Sequence, residues 1–483
     1  MATLSSLGVG AGFDTESIVT KLVALEKAPA QKIQSENNKL NTRLSTWGRV
    51  QGAFSALRDA AATLNRDSFW QATTATSSDT ASVAVTASAG APAGAYSVNV
   101  TSLASSQFVS SAAFNSGVPG SEWSGGDGSL TITLGTYESD PGPPPAVTFA
   151  AKAAAMAVNI PIGPGDNTLE KIRDRINAAN AGVTASLVSD AAGTRLVMRG
   201  PSGESNAFKV EVTEGATPGL SALAYDRTTG APSSMTLNQA AGNAQATING
   251  IAVSSESNTL TNVLDGLTLQ LNKVTTTPVD VSVSQDKTSM RTGIENFQKA
   301  YNDLVGLIRV QTLYDEASKT AGPLQGDSTA TGLLRQIRSL VGSSSTASST
   351  FSRLASVGFD IKTDGTLSLD STKLNKAMDN LPELKKLFAN DDSDPGAQGV
   401  SRRIQNLASQ IVGSDGIIST RQEGLKASIK RNDDKIERLE DRVALIEARL
   451  RKQYTALDTN MGNLTALQNY VTQQLSALSK KSS

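Results

Sequence analysis

The sequence predicts an α+β multidomain protein, with terminal α-helical coiled-coil segments, a helical leg and an inserted, mostly β head of two subdomains. The length of 483 residues predicts several folding units, at roughly 100–200 residues each. Apolar residues recur every seven positions near both ends of the chain. The middle zone, residues 75–285, holds 9 basic and 16 acidic residues, against 35 and 29 in the flanks. A β-rich segment is therefore predicted to lie between two helical flanks.

The N-terminal flank is predicted to be helical from Thr15, with an apolar stripe that Pro29 interrupts. A second, longer helix is expected to follow and to reach about Asn65. Apolar residues spaced by seven predict its coiled-coil seam: Ile33, Leu40, Trp47 and Phe54. This apolar face requires a partner helix.

The middle zone is predicted to consist of short strands, because alternating runs such as SVAVTAS and GSLTITLG are separated by Gly, Pro, Ser and Asp clusters. One helix is predicted within it, over 168–179. There Thr168 can cap the first turn, and the apolar residues fall on one face.

The C-terminal flank is predicted to contain helices within 289–340 and 371–390, and a β-hairpin that turns at Asp364-Gly365. A longer heptad seam follows, and its apolar positions are Ile429, Ile436, Val443, Leu450, Leu457, Leu464, Val471 and Leu478. Amides occupy four companion positions, Asn432, Gln453, Asn460 and Gln474. Two interpretations fit these amides equally: they set the register of a coiled coil, or they face solvent.

Composition argues against most catalytic chemistry, because the chain has no cysteine and no histidine. The glycines at 8–12 do not form a dinucleotide-binding fingerprint, and the acidic loop at 391–396 is better explained as a solvated connection than as a metal site. We expect no cofactor, no metal and no enzymatic activity. A net charge of −1 argues against nucleic-acid binding, and no apolar run is long enough for membrane insertion.

Four segments carry a resemblance to a known family. They are LGVGAGFDTESIVTKLVALEKAP at 7–29, AGAYSVNVTSLASSQ at 93–107, NGIAVSSESNTLTNVLDGLTLQL at 249–271 and GFDIKTDGTLSLD at 358–370. Together with the C-terminal heptads, they resemble the bacterial flagellar filament cap proteins, the hook-associated protein 2 family. The stretch at 169–200 also resembles a repeat shared by flagellins and cap proteins.

The resemblance implies a homo-oligomeric ring at the distal tip of the flagellum, which retains exported flagellin and promotes its folding and polymerisation. It also implies secretion by the flagellar type III route, contacts with hook-filament junction proteins, and an export chaperone at the C-terminal helix. The implied segments are 1–40 with 441–483, which contact the filament; 41–75 with 285–440, the leg; 76–109 with 236–284, the first head domain; and 110–235, the variable second head domain.

A second hypothesis belongs to a different class of protein. A secreted coiled-coil adhesin could use the helices as a stalk and the β head to bind host glycan or mucin. The phenotype of a deletion strain separates the two hypotheses, because loss of a cap releases monomeric flagellin whereas loss of an adhesin leaves filaments normal.

Overall fold

The computed structural model describes residues 14–115, 123, 125–317 and 319–479. The N-terminal glycine cluster and the side chain of Leu478 lie outside this described part. The chain forms two compact units. The helical unit contains the described residues up to Trp70 and those from Thr288 onward, and the β unit is Gln71–Lys287. The predicted fold class is confirmed, while the finer division into four segments stays a prediction.

Most helices of the described chain lie in the helical unit, and one lies in the β unit. Within the described residues they are α1 (Thr15–Leu64), α2 (Asp67–Trp70), α3 (Leu169–Ala178, in the β unit), α4 (Lys287–Thr312), α5 (Ser328–Gly342), α6 (Ser371–Ala377), α7 (Leu381–Ala389), α8 (Val400–Val412) and α9 (Ile417–Ser479). The long helix α1 packs against both α8 and α9.

Strands make up most of the β unit, and each of their pairings is antiparallel. They are β1 (Thr73–Ser77), β2 (Val83–Ala87), β3 (Gly94–Ser102), β4 (Ser106–Ser110), β5 (Gly128–Asp140), β6 (Ala146–Ala151), β7 (Val158–Ile162), β8 (Thr184–Asp190), β9 (Gly193–Ser202), β10 (Ala207–Glu214), β11 (Thr236–Gln239), β12 (Ala244–Ile248), β13 (Ile251–Ser255), β14 (Thr259–Leu264), β15 (Leu267–Leu271) and β16 (Val279–Gln285). The helical unit adds two small hairpins, β17 (Tyr314–Asp315) with β18 (Thr320–Ala321), and β19 (Phe359–Ile361) with β20 (Leu367–Leu369).

The β unit contains two large hydrophobic cores, and a small cluster of Ala91, Leu267 and Val283 adjoins the first of them. In the first β core, a five-stranded sheet of order β1-β16-β3-β12-β13 accompanies a three-stranded sheet of order β14-β15-β2. In the second β core, the sheet β11-β4-β9-β8 accompanies a sheet built on β5, which pairs with β10, β6 and β7, and α3 adds its apolar face. Aliphatic side chains fill most of both cores, which agrees with an aromatic content of 4%.

Amide side chains stand in for missing strand neighbours at several backbone positions. Asn177 of α3 donates to the carbonyl of Ala185 (2.9 Å) and accepts from its N–H (2.8 Å). The same two-bond pattern joins Gln107 to Phe208, Asn258 to Ala104, and, in the helical unit, Asn302 to Leu367. A backbone N–H and C=O left unpaired in a core would cost about 1–3 kcal/mol each. Three of these amides therefore pair the backbone of strand residues, Ala185, Phe208 and Leu367, and Asn258 does the same for Ala104 in the connection between β3 and β4.

Two local sequence predictions are confirmed. Helix α3 begins where expected, and the Thr168 hydroxyl accepts from the N–H of Lys171 at 3.3 Å. The hairpin β19–β20 turns at Asp364-Gly365, and Gly365 has a φ of +85°, which a β-carbon would disfavour. The Asp364 carboxylate accepts from the N–H of Thr366 at 2.9 Å, which closes the turn.

The predicted interruption at Pro29 is wrong, because α1 continues through it without a break. Proline removes the N–H that would bond the carbonyl of Leu25, and this side of the helix is exposed, so water can reach it. Val23 and Ala30 on either side are buried, and Ala30 lines a small groove with Val443 of α9. Packing against α9 therefore holds the helix together across the proline.

We expect Pro29→Ala to stabilise this part of α1, because proline in a helix interior is less favourable than alanine by up to about 3 kcal/mol. Hydrogen exchange should become slower for amides 20–36. The comparison variant is Ala28→Gly at the exposed neighbouring position. It should lower the local stability of the helix by about 1 kcal/mol and so make exchange faster. Unchanged exchange in Pro29→Ala would show that the proline costs the helix nothing.

A carboxylate at the start of α7 ties down the loop that follows α5. Glu383 accepts from the Ser348 hydroxyl (2.7 Å) and from both the N–H and the hydroxyl of Ser349 (2.7 and 3.0 Å). The Lys386 ammonium lies 2.7 Å from its other oxygen. The hydrogen bond from Lys386 and then that from Ser348 lower the pKa of Glu383 to about 2.

This lowered pKa predicts a pH dependence of stability. An unfolded glutamate has a pKa of about 4.3, so the contribution of Glu383 is fully present above that pH and is lost as the pH falls towards 2. Between pH 4.5 and 2.5, we expect the melting temperature of Glu383→Gln, measured by circular dichroism, to fall less than that of the wild type. The control Glu423→Gln, an exposed glutamate of α9, should follow the wild type, and equal behaviour of both variants would contradict the assignment.

Candidate assembly surface

The two terminal helices of the described chain form an antiparallel pair. Near its start, α1 contacts α9 through Glu16, whose two carboxylate oxygens each accept from the Arg451 guanidinium at 2.9 Å. Near the other end of the pair, the Gln422 amide donates to Gln51 at 3.2 Å. The carboxylate of Glu16, with help from Glu447, raises the pKa of Arg451. Higher-numbered residues of α1 thus contact lower-numbered residues of α9, so the two helices run antiparallel.

The apolar contact between these helices near the chain ends is small. Val19 and Val23 of α1 are buried with Val443 of α9, and Leu450 and Tyr454 pack against them while partly exposed. Each fully buried valine contributes about 1.5–3 kcal/mol. This cluster is modest beside the inner half of α1, and the outer part of the pair is therefore the weaker part. The inner half buries a longer set of side chains almost fully: Trp47, Val50, Phe54, Leu57, Ala61 and Leu64.

A buried polar contact divides the seam. Asn37 is 1% exposed, and its amide donates to the Asp433 carboxylate at 2.6 Å. A polar group buried in a helix seam lowers stability but disfavours other alignments, because a shifted partner would leave it unpaired. Asn37 therefore has the burial and the partner that a register-setting amide requires.

The predicted apolar seam positions lie in three environments. Trp47, Phe54 and Val443 are buried; Ile33, Leu40, Ile429, Ile436 and Leu450 are half-buried; Leu457, Leu464 and Val471 are exposed. Leu40 lines a groove of about 640 Å³ between α1 and the segment 321–323. The heptad positions of α1 and those of α9 up to Leu450 are buried or half-buried, whereas the described ones from Leu457 onward are exposed. The assembly role of these residues stays a prediction.

The four predicted register amides differ in burial. Asn432 is half-buried, whereas Gln453, Asn460 and Gln474 are exposed in this chain. Their role in setting register stays a prediction.

The last part of α9 carries an uncovered apolar stripe. Leu457, Leu464, Leu467 and Val471 are 48–58% exposed, and Tyr470 and Leu475 are similarly exposed nearby. Their spacing places the first four along one face of the helix. Such a contiguous apolar face commonly marks a protein–protein contact.

Sequence reasoning missed the contacts that align the two helices, Glu16 with Arg451 and Asn37 with Asp433. The only signal was the occurrence of complementary polar groups on two predicted helices. Many other pairs met that condition, and the register between distant segments cannot be obtained from spacing within either one.

Within the described residues, no group of three or more acidic side chains is arranged to hold a metal ion. Over the same part of the chain, no helix combines the length and hydropathy that a membrane span requires. The site that the structure does present is the terminal helix pair with its apolar stripe.

An antiparallel pair of terminal helices, a β unit inserted between them in the sequence and an exposed apolar stripe are features of a structural subunit. Residues 11–107 match the family model for the N-terminus of flagellar hook-associated protein 2, and residues 241–466 match the model for its C-terminus. The chain belongs to the flagellar hook-associated protein 2 family.

Similar proteins match over almost their whole length. The A-type flagellar hook-associated protein 2 of Pseudomonas aeruginosa is 32% identical over 98% of this chain and 97% of its own. Flagellar hook-associated protein 2 of Salmonella typhimurium is 32% identical over 99% of this chain and 100% of its own. A crystal structure of three domains of the flagellar cap protein FliD from Escherichia coli, 29% identical, superposes with a TM-score of 0.63 and covers 79% of this chain and 99% of that one.

The burial of Asn37 predicts which polar position limits the stability of the pair. Asn37→Leu should raise protection from hydrogen exchange around 30–40 and 430–440, because a buried leucine contributes about 1.5–3 kcal/mol. Gln453→Leu is the matched control and should change exchange little, since its side chain is exposed. Greater protection from Gln453→Leu than from Asn37→Leu in the monomer would contradict this assignment.

Proposed function

We propose that this chain caps the distal tip of the bacterial flagellar filament as a homo-oligomeric ring that retains exported flagellin and promotes its polymerisation. The observation that carries the proposal is the near full-length match to hook-associated protein 2 relatives. The fold of the cap protein crystal structure supports it over both the helical and the β parts of the chain.

In this proposal the terminal helices contact the filament. The uncovered stripe of α9 offers apolar area to a helical partner, and the weak outer part of the α1–α9 pair can open and close at modest cost. A cap must release and remake contacts as each flagellin subunit is added. A seam of maximal stability would oppose that exchange, which gives the amides Asn432, Gln453, Asn460 and Gln474 a role in keeping contacts reversible.

No covalent step is needed for this function. Folding and packing of flagellin supply the free energy, while the ring supplies confinement and shape. The proposal includes secretion by the flagellar type III route, with a chaperone at the C-terminal helix and hook-filament junction proteins as early partners. The lack of cysteine supports this route, since no disulfide has to be reduced before threading.

The apolar stripe provides the test. Replacing Leu457, Leu464, Leu467 and Val471 together by Gln should leave the fold intact, because these side chains are about half exposed. In a deletion strain complemented with this variant, we expect lost motility and monomeric flagellin in the medium, as in the deletion itself. The matched control is Ala466→Gln with Asn469→Gln, two exposed positions on the opposite face of α9, and it should restore motility.

Two outcomes would contradict the proposal at different points. Full motility with the stripe variant would show that the stripe is not a filament contact. A deletion strain with normal filaments and reduced attachment to mucin would contradict capping itself and favour the adhesin.

A further inference from the structure

The two cores of the β unit are joined by two chain connections that lie side by side. The first leads from β3 to β4 and the second from β11 to β12. They meet where Ser105 and Gly242 exchange two backbone hydrogen bonds, of 2.9 and 3.1 Å. Two adjacent connections can serve as a hinge, so the orientation of the second β core on the first depends on the contacts beyond them.

Glu256 makes such a contact from the first β core. It lies in the turn between β13 and β14, and its partners all belong to the second β core. The Ser205 hydroxyl donates to one carboxylate oxygen, and the Asn206 amide and the Lys152 ammonium each donate to the other at 3.1 Å. Lys152 also donates to Ser205 (3.0 Å) and Asn206 (2.8 Å), so the four side chains form one connected group.

The backbone beside this group is shaped to receive Glu256. Gly203 has a φ of +102°, and a β-carbon there would lie 2.4 Å from the β-carbon of Glu256. Any other residue would push Glu256 away from its partners. A neighbouring contact also joins the second β core to the connection that leads to β12: the Asn243 side chain accepts from the N–H of Glu204 at 2.8 Å.

We propose that Glu256 is the positioning residue that fixes the orientation of the second β core on the first. The hydrogen bonds from Ser205 and then Lys152 lower the pKa of Glu256, so the carboxylate is charged at neutral pH. Its side chain remains 48% exposed, and exposed ion pairs add little to global stability. The group therefore restricts orientation without contributing much to the free energy of unfolding.

The absence of cysteine allows a direct measurement of this orientation. Val188→Cys on β8 and Ile251→Cys on β13 place one exposed spin label on each core, and the full chain offers no other thiol. Double electron–electron resonance then reports the distribution of distances between the two cores. We expect a single narrow distribution in the otherwise unchanged chain.

Glu256→Ala should make that distribution about twofold wider, while the melting temperature of the β unit changes little. Glu256→Gln should give an intermediate width, because its amide oxygen still accepts from Ser205 but no longer pairs with the Lys152 charge. The exchange Lys152→Glu with Glu256→Lys should narrow the distribution again. Glu138→Ala, an exposed glutamate of β5, is the control and should keep the width of the parent.

A Glu256→Ala distribution as narrow as that of the parent would overturn the proposal, whatever the melting temperature. Equal broadening by Glu138→Ala would overturn it too. If Glu256→Ala fails to fold by circular dichroism, the width of Glu256→Gln decides in its place. These measurements use the isolated chain, so their outcome is independent of the proposed capping function.

Discussion

The antiparallel pairing of α1 with α9 is the constraint that closes the helical unit, because it brings together the two ends of the described chain. It joins residues as far apart in sequence as Glu16 and Arg451, which are separated by 435 positions. Contacts of such separation are entropically costly to close, so we expect the intervening elements to fold first and the chain ends to pair last. The small cluster around Val19, Val23 and Val443 fits that order. Its apolar burial is small, which agrees with chain ends that pair late.

The β unit solves a different problem, which is to build two cores from a sequence with few aromatic and few charged residues. Aliphatic side chains supply the burial, and amides supply the missing backbone partners. Asn177, Gln107 and Asn258 each bond both polar groups of one backbone residue. Asn177 also covers part of the outer edge of β8, the kind of unpaired edge at which sheets of separate molecules can join.

Local signals in the sequence were sufficient for local structure. Thr168 identified the start of α3, and Asp364-Gly365 identified a hairpin, because a cap and a turn depend only on neighbouring residues. The helix break predicted at Pro29 is wrong, because the local cost of the proline is outweighed by packing of α1 on a helix from the far end of the chain. For the same reason spacing could show that amides occur near a seam, but not that Asn37 is the buried one. Burial depends on the register between α1 and α9, which no single segment encodes.

The paired connections at Ser105 and Gly242 also determine where this fold can tolerate changes in sequence and length. Since the chain enters and leaves the second β core at one hydrogen-bonded pair, residues 106–241 form a cassette whose two ends are already adjacent. A cassette of this kind can lengthen, shorten or exchange its sequence while β3 and β12 remain paired. Changes on the surface of the second β core can therefore be accommodated without disturbing the pairing of β3 with β12.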